Sequence, residues 1–406
     1  MSRAAPPLRD LRVLDFTWVG AGPFTTKLLA DFGAEVVKVE SRKRPDQLRK
    51  AEPLTGQRTL EESGYFANRN VNKKSLAIDL KHPDARTVVL ALAKHCDVVI
   101  NSFSPGVMER FGFSYEEIQA VRADVIYVSM PFGGDSGPYR EFLGYGMNIA
   151  ALVGLYAMGG RPGRWPVGTG TNFPDHIPNP LHAAFAILAA LAERRRSGQG
   201  QRITLSQIDS TLAMFPDDLL DYAANGRLAE PGQVDDPDAA PHGVYPCLGE
   251  ERWLALSVKG DAQFAALCCV MGEPGLATDP RFRNVAGRKA HLDKLDATIT
   301  AWTARHDAQA LMGQLQSVGI AAGIVQNAED LLVRDPHLKA RGFWQYLEHP
   351  VMQRSVYHGV PAQIGGLSNR YQSPAPLLGQ HNDELPALTG LSPDLIAELA
   401  AKGVFQ

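Results

Sequence analysis

The stretch LRVLDFTWVGAGPFTTKLLADFGAEVVKVE, residues 11–40, sets the architecture. Its first six residues, LRVLDF, are largely apolar, as in a strand buried in a sheet. Gly20, Gly22 and Pro23 follow, and FTTKLLADF then reads as a helix closed by Gly33. Proline fits a helix start because its missing N–H has no intrahelical partner there, and glycine fits the left-handed residue just past the end. EVVKVE, rich in β-branched residues, is a second strand ending at Glu40. A strand, a helix and a strand in succession form a β-α-β unit, which implies parallel strands and a right-handed crossover.

The pattern continues outward. SLAIDL (75–80), CDVVINSF (96–103) and DVIYVSM (124–130) read as strands, and PDARTVVLALAKH (83–95) and Tyr115 to Val121 as helices. The alternation predicts an α/β fold with an open, Rossmann-like parallel sheet. The clearest helix spans 179–198. Asn179 caps it, Pro180 opens it and Gly198 lies beyond its end, while Leu181, Phe185, Leu188 and Leu191 form an apolar stripe. Arg194 to Arg196 fall in its last turn, where positive charge suits the helix dipole. RITLSQ (202–207) is the next strand.

Residues 225–242, NGRLAEPGQVDDPDAAPH, have loop composition and mark a domain boundary. A strand WLALSV (253–258) follows, then helices around 261–272 and 289–316, and GIAAGIV (319–325) reads as a strand returning to the first domain. The division is thus 1–224 for the first part of a large domain, 225–318 for a smaller α+β domain with crossing linkers, and 319–406 for a returning segment. Its Pro- and Gly-rich stretch from Pro361 to Gly379 reads as extended.

Two domains suit a chain of 406 residues. A formal net charge of −3 gives no general attraction to nucleic acid or to an anionic membrane. Cys96, Cys247, Cys268 and Cys269 form no C-x-x-C pair, which points to reduced thiols and a cytoplasmic protein. Met1 to Asp10 lacks the apolar core of a signal peptide, and no run is long and apolar enough to span a membrane.

Three segments carry candidate chemistry. The turn V-G-A-G-P-F-T has two of the glycines of a dinucleotide fingerprint, but Thr25 replaces the third, and Pro23 removes an N–H that phosphate binding would use. A tight turn that lets backbone approach another surface fits as well. In NVNKKSLAIDL (70–80), Lys73 and Lys74 precede a strand, and Arg110 lies beyond NSFSPGVME. Together they suit the phosphates of a nucleotide-like ligand, or simply a solvated basic face. In GTGTNFPDHIPNPLHAAF (168–185), Asp175 stands in a loop stiffened by Gly168, Gly170 and three prolines, close to a helix N-terminus that favours an ionised carboxylate. Such a carboxylate can act as a nucleophile toward an activated acyl group. A loop aspartate capping a backbone turn has the same setting, and the residues alone favour that ordinary role. His176 and His182 lack the spacing of a metal site, so no metal is expected.

Taken together, the segments resemble the class III CoA-transferase family (CaiB/BaiF type), which also holds α-methylacyl-CoA racemases. The resemblance rests on residues 11–40, NVNKKSLAIDLK, VVINSFSPGVMERFGFSYEEI, FGGDSGPYREFLGYG, SGQGQRITLSQIDS, DPRFRN and DPHLKARGF, in the family's order over nearly the whole chain. It implies a Rossmann-like large domain built from both chain ends, a small middle domain, and an interlocked dimer, either a homodimer or a heterodimer with a homologous subunit. It implies coenzyme A esters as substrates, no permanently bound cofactor, and neither nucleic acid nor membrane as partner.

By the resemblance, Asp175 is the nucleophile that becomes an aspartyl-CoA thioester. Val19, Lys73, Lys74, Ser102, Phe103 and Arg110 are the coenzyme A contacts. Gly20, Arg140, Tyr145, Asn172 and His176 face the substrate. Ser41 stands where many relatives have arginine, with Arg42 following, and Ser102 where many have asparagine. Racemases carry G-H-D where this chain has Gly144-Tyr145-Gly146, and a tyrosine is no base near neutral pH, which favours transferase over racemase. A partner subunit that binds coenzyme A without chemistry is the other alternative. The P-D-H-x-P-N-P form around Asp175 is most similar to relatives acting on succinyl-CoA and substituted succinates such as benzylsuccinate, with mesaconate, malate and citramalate as competitors.

Overall fold

The structure is a computed structural model. It describes residues 5–53, 56, 59–160, 163–231, 236, 238–368 and 370–406. The chain forms two compact units, Met1–Pro231 with Lys339–Gln406, and Gly232–Leu338.

The first unit is built on a six-stranded parallel sheet: β1 (Arg12–Phe16), β2 (Glu35–Glu40), β3 (Lys73–Ala77), β4 (Val98–Asn101), β5 (Ile126–Ser129) and β6 (Gln201–Thr204), in the order β3-β2-β1-β4-β5-β6. β1 pairs with β2 from Arg12 opposite Glu35 and with β4 from Val13 opposite Val98. Successive side chains feed two cores. Leu14, Phe16, Val37, Val39, Val99 and Tyr127 join the helices Ala85–Ala93 and Tyr115–Val121 on one face. Val13, Val36, Val98, Ile100, Ile126 and Val128 join the helices Ala21–Asp31 and Pro178–Ser197 on the other. The sheet is covered on both faces, which is why its strands read as apolar runs rather than alternating ones. Strand addition reverses between β1 and β4, and a crevice opens at their C-terminal ends, where open α/β sheets bind ligands.

All six strands come from Arg12–Thr204; the C-terminal segment joins the unit without adding a strand to that sheet. It contributes a hairpin, Trp344–His349 with Gln353–His358, and the residues Leu385, Leu388, Leu399 and Val404 that close one core.

The second unit has an antiparallel sheet of β7 (Ala239–Pro246), β8 (Trp253–Lys259) and β9 (Ala321–Ile324). Leu254, Leu256, Phe264, Leu295, Trp302 and Leu315 are among its core residues. Three sequence expectations change here. The strand expected at 319–325 to return to the large domain pairs instead with β8, Leu254 opposite Ile324, because Ile320 and Ala322 are buried in this unit's core. The helical stretch 289–316 breaks into Val285–Ala290, Leu292–Thr303 and Ala308–Ser317, the last begun by Asp307, whose side chain accepts from the Ala310 N–H. Part of the loop expected at 225–242, residues 232–235 and 237, lies outside the described residues, and β7 already runs from Ala239.

The helix expected over 179–198 runs Pro178–Ser197 and ends on Gly198 at φ 71°. Its sheet-facing side is Ala183, Ala184, Ile187, Ala190 and Leu191; of the expected stripe only Leu191 is buried, and Leu181, Phe185 and Leu188 are exposed. Small residues let this helix lie close to the sheet. Among the described residues no helix is long and apolar enough to cross a membrane.

Candidate active site

The site grows from the turn after β1. Asp15, fully buried, accepts from the Thr17 N–H at 2.8 Å and from the hydroxyls of Thr17 and Thr26 at 2.5 and 2.6 Å. Lys38 of β2, also buried, donates to the Thr17 carbonyl at 2.6 Å and pairs with Asp46 at 3.0 Å. Asp46 in turn accepts the Val19 N–H at 3.1 Å, and Ser102 accepts the Trp18 N–H at 3.0 Å. These bonds hold Val19 at φ 67°, a left-handed conformation that a β-branched residue adopts only under constraint.

The forced turn presents the Gly20 backbone to Asp175. A Cβ on Gly20 would stand 2.6 Å from the Asp175 carboxyl carbon, and one on Gly146 would stand 2.9 Å from its Oδ2, so both positions require glycine. Asp175 is 5% exposed and sits in a short helical turn, Phe173–His176, just before the long helix. The Gly146 N–H donates to its carboxylate. Burial lifts its pKa to about 6, against the opposing pull of that N–H and of the Arg69 charge.

A cavity of about 860 Å³ opens from Asp175 along the C-terminal ends of β1 and β4. That volume suits a large cofactor-like ligand. Gly20, Ala21 and Gly22 line it at the start of the helix Ala21–Asp31, where first-turn N–H groups have no partner within the helix. Trp18, Phe103 and Phe111 give it an aromatic wall, with Trp18 and Phe103 edge to face at 5.6 Å. Lys43, Arg44 and Lys81, all exposed, line the rest, with Asp79 paired to Lys43 at 2.8 Å.

Of the residues singled out from sequence, Val19, Gly20, Ser102, Phe103, Tyr145 and Asp175 line this cavity. Lys73, Lys74 and Arg110 do not. Lys73 is buried under the turn, donating to the Pro23 carbonyl, Thr26 and Asn70 and pairing with Asp15 at 3.3 Å. Desolvation there lowers its pKa to about 8. Lys74 points to the other face of its strand, where Glu35 and Glu384 hold it at 2.7 Å each. Arg110 folds back over Gly106. Arg140 is an exposed partner of Glu141 at 2.9 Å, and Arg42 lies against Gly379 rather than in the cavity. Asn172 supports the turn, its carbonyl accepting the Asp175 N–H at 3.0 Å. His176 is fixed by the Tyr65 hydroxyl and by Thr171, each at 3.0 Å, and burial with the nearby Arg69 charge lowers its pKa to about 4. His182 is engaged by Ser210 at 2.8 Å.

Sequence reasoning missed Lys43, Arg44, Lys81 and Arg69. The run SRKRP directly after β2 was a usable signal for the first two, because a strand end is where a sheet offers side chains to its crevice.

Comparison with known proteins places nearly the whole chain in one family. The family model described as CoA-transferase family III matches residues 8–382. The chain is 35% identical to a succinyl-CoA–D-citramalate CoA-transferase of Chloroflexus aurantiacus over 99% of each chain. It is 30% identical to a succinate–glutarate CoA-transferase of Agrobacterium fabrum, over 95% of this chain and 96% of that one. A crystal structure of a CaiB/BaiF family protein from Brucella suis superposes with a TM-score of 0.86 at 28% identity, covering 95% of this chain and 99% of that one. Sequence, fold and full-length relatives converge: this chain belongs to CoA-transferase family III and is an enzyme of that class.

Proposed function

We propose that the enzyme moves coenzyme A from succinyl-CoA to a second dicarboxylic acid through a covalent intermediate on Asp175. The observation that carries the reading is the Asp175 carboxylate, clamped between two glycine backbones and lining a cavity large enough for a cofactor-sized ligand.

The Asp175 carboxylate attacks the thioester carbonyl, forming a mixed anhydride and releasing the coenzyme A thiolate. The thiolate then attacks the aspartyl carbonyl, giving an aspartyl-CoA thioester and freeing the donor acid. The acceptor carboxylate attacks that thioester, and the two steps run in reverse to give acceptor-CoA and a free Asp175. Oxyanions that form in each step meet the first-turn N–H groups of Ala21 and Gly22, which have no partner within the helix. Burial of Asp175 keeps water from the anhydride. A pKa of about 6 leaves the carboxylate ionised at neutral pH and more basic than a solvated one.

Lys43, Arg44 and Lys81 supply positive charge for the phosphates of coenzyme A, and Trp18, Phe103 and Phe111 supply apolar surface for the rest. The succinyl donor draws support from the names of the two similar transferases. Citramalate and benzylsuccinate are the acceptors to assay first. Exposed Leu181, Phe185, Leu188, Leu219, Leu220 and Tyr222 favour an oligomer, as a homodimer or with a homologous subunit.

A screen of acyl-CoA donors against mono- and dicarboxylic acceptors, with products read by mass spectrometry, tests the substrate assignment. Succinyl-CoA with a dicarboxylic acceptor should give the highest kcat/KM. Equal use of acetyl-CoA or formyl-CoA as donor would refute it.

A further inference from the structure

A second group of side chains adjoins Asp175 without lining the cavity. Arg69, at the end of the helix Gly64–Asn70, is 93% buried, being 7% exposed. Its guanidinium lies over the ring of Phe24 at 4.6 Å and that of Tyr65 at 5.0 Å. One nitrogen donates to Asn68 at 3.1 Å, and the Tyr65 hydroxyl, bonded to His176, lies near enough to favour its charge. Among the described residues no carboxylate lies within ion-pair distance of it, and its Nε, fully buried, has no hydrogen-bond partner. The neighbouring cations differ. Lys27 is neutralised by Asp31 at 2.7 Å, and His176 is held neutral.

A buried charge without a directly paired counter-ion is strongly unfavourable, and stacking on two rings and the more distant Asp175 charge offset only part of that. Such a group persists where an anion completes it during function. Arg69 also acts on Asp175 through its charge, and His176, bonded to Tyr65, is the next residue in the chain, so the group adjoins the point where an acyl chain would be attached. For Arg69 to meet that anion, an acid whose first carboxyl reacts at Asp175 must carry its remaining carbons to this group rather than along the cavity, which Arg69 does not line.

We infer that Arg69, assisted by the Tyr65 hydroxyl, holds the remote carboxylate of the dicarboxylic acid while the other carboxyl reacts with Asp175. The two Nη and Nε donors of a guanidinium match a carboxylate in a two-pronged geometry that a lysine cannot copy. The assignment rests on the dicarboxylate reading given above. It makes Arg69 a specificity-determining residue, distinct from the groups that take the coenzyme.

The test compares wild type, Arg69→Gln and Arg69→Lys, as full-length proteins, at saturating succinyl-CoA, with isotopically labelled succinate, whose label entering succinyl-CoA reports the exchange, and with butyrate, which lacks the second carboxylate, as acceptors. Removing the charge should raise KM for succinate about 10- to 100-fold, the range for losing a charged hydrogen bond. Arg69→Lys should recover part of that, and KM for butyrate should stay within about twofold of wild type. An equal loss with both acceptors would show that Arg69 only supports Asp175, and an unchanged succinate KM would show no role; either overturns the inference. If Arg69→Gln does not fold, Arg69→Lys decides alone, since loss of the fork must still lower the succinate-to-butyrate preference. Failure of the dicarboxylate reading shows separately, as a wild-type enzyme that uses butyrate as well as succinate.

Discussion

Asp175 is a carboxylate placed where folding works against its charge. Burial raises its pKa from the 3.8 of an unfolded chain to about 6. For an acid with a folded pKa above the unfolded one, the native state binds more protons between the two values. Stability is therefore lost as pH rises from about 4 through about 6, and stays lost above. Asp175→Asn should gain about 3 kcal/mol at pH 7, and the gain should vanish below about pH 4, as read by urea unfolding across that range. No gain at pH 7 would mean that the native carboxylate is not held at a disadvantage. Turnover by wild type should fall as pH drops through about 6, because protonation removes the nucleophile. Sequence marked this residue by its rigid loop and by resemblance, but it could not show burial. That depends on Gly20 and Gly146, far apart in the chain, meeting at one carboxylate. The same limit explains Lys73 and Lys74. Adjacent strand residues point to opposite faces, so one enters the core beneath the turn and the other meets Glu35 and Glu384.

At the scale of elements, the turn between β1 and its helix depends on buried charge rather than on turn chemistry alone. Lys38 reaches from β2 to the Thr17 carbonyl and to Asp46, and Asp46 holds the Val19 N–H. Lys38→Met leaves Asp46 buried without its cation, and should destabilise the protein by about 3–5 kcal/mol, measured by urea denaturation. It should also release Val19 from its left-handed conformation and lower kcat. A variant of wild-type stability would contradict this role. The β-α-β unit itself was legible because its signals are local: apolar strands, a glycine turn and a glycine stop. The strand at 321–324 was placed in the wrong partner sheet because periodicity identifies a strand without identifying its neighbour. The break at 304–307 hid inside a continuous helical pattern, although Asp307 before Ala308 was a readable cap.

For the whole molecule, the long helix Pro178–Ser197 links the site to an exposed apolar face. Its N-terminus follows Asp175, one side covers the sheet, and Phe185 at 74% exposure stands on the other with Leu181 and Leu188. An uncovered apolar side of this kind marks a protein contact. Phe185→Asp should shift the proposed dimer toward monomer in sedimentation at micromolar concentration, and an unchanged dimer would exclude this face from its interface. The sequence pattern gave this stripe its apolar character; which side of the helix meets the sheet was set by Ala183, Ala184 and Ala190, small residues that a hydrophobicity count underweights.

Trapping the covalent intermediate tests the role of Asp175 most directly. The enzyme is incubated with succinyl-CoA without acceptor, then with hydroxylamine, and the peptide containing residue 175 is examined by mass spectrometry. The prediction is a hydroxamate on Asp175 with parallel loss of transfer, both absent without the donor. Full activity after this treatment, with Asp175 unmodified, would contradict a covalent role for this carboxylate.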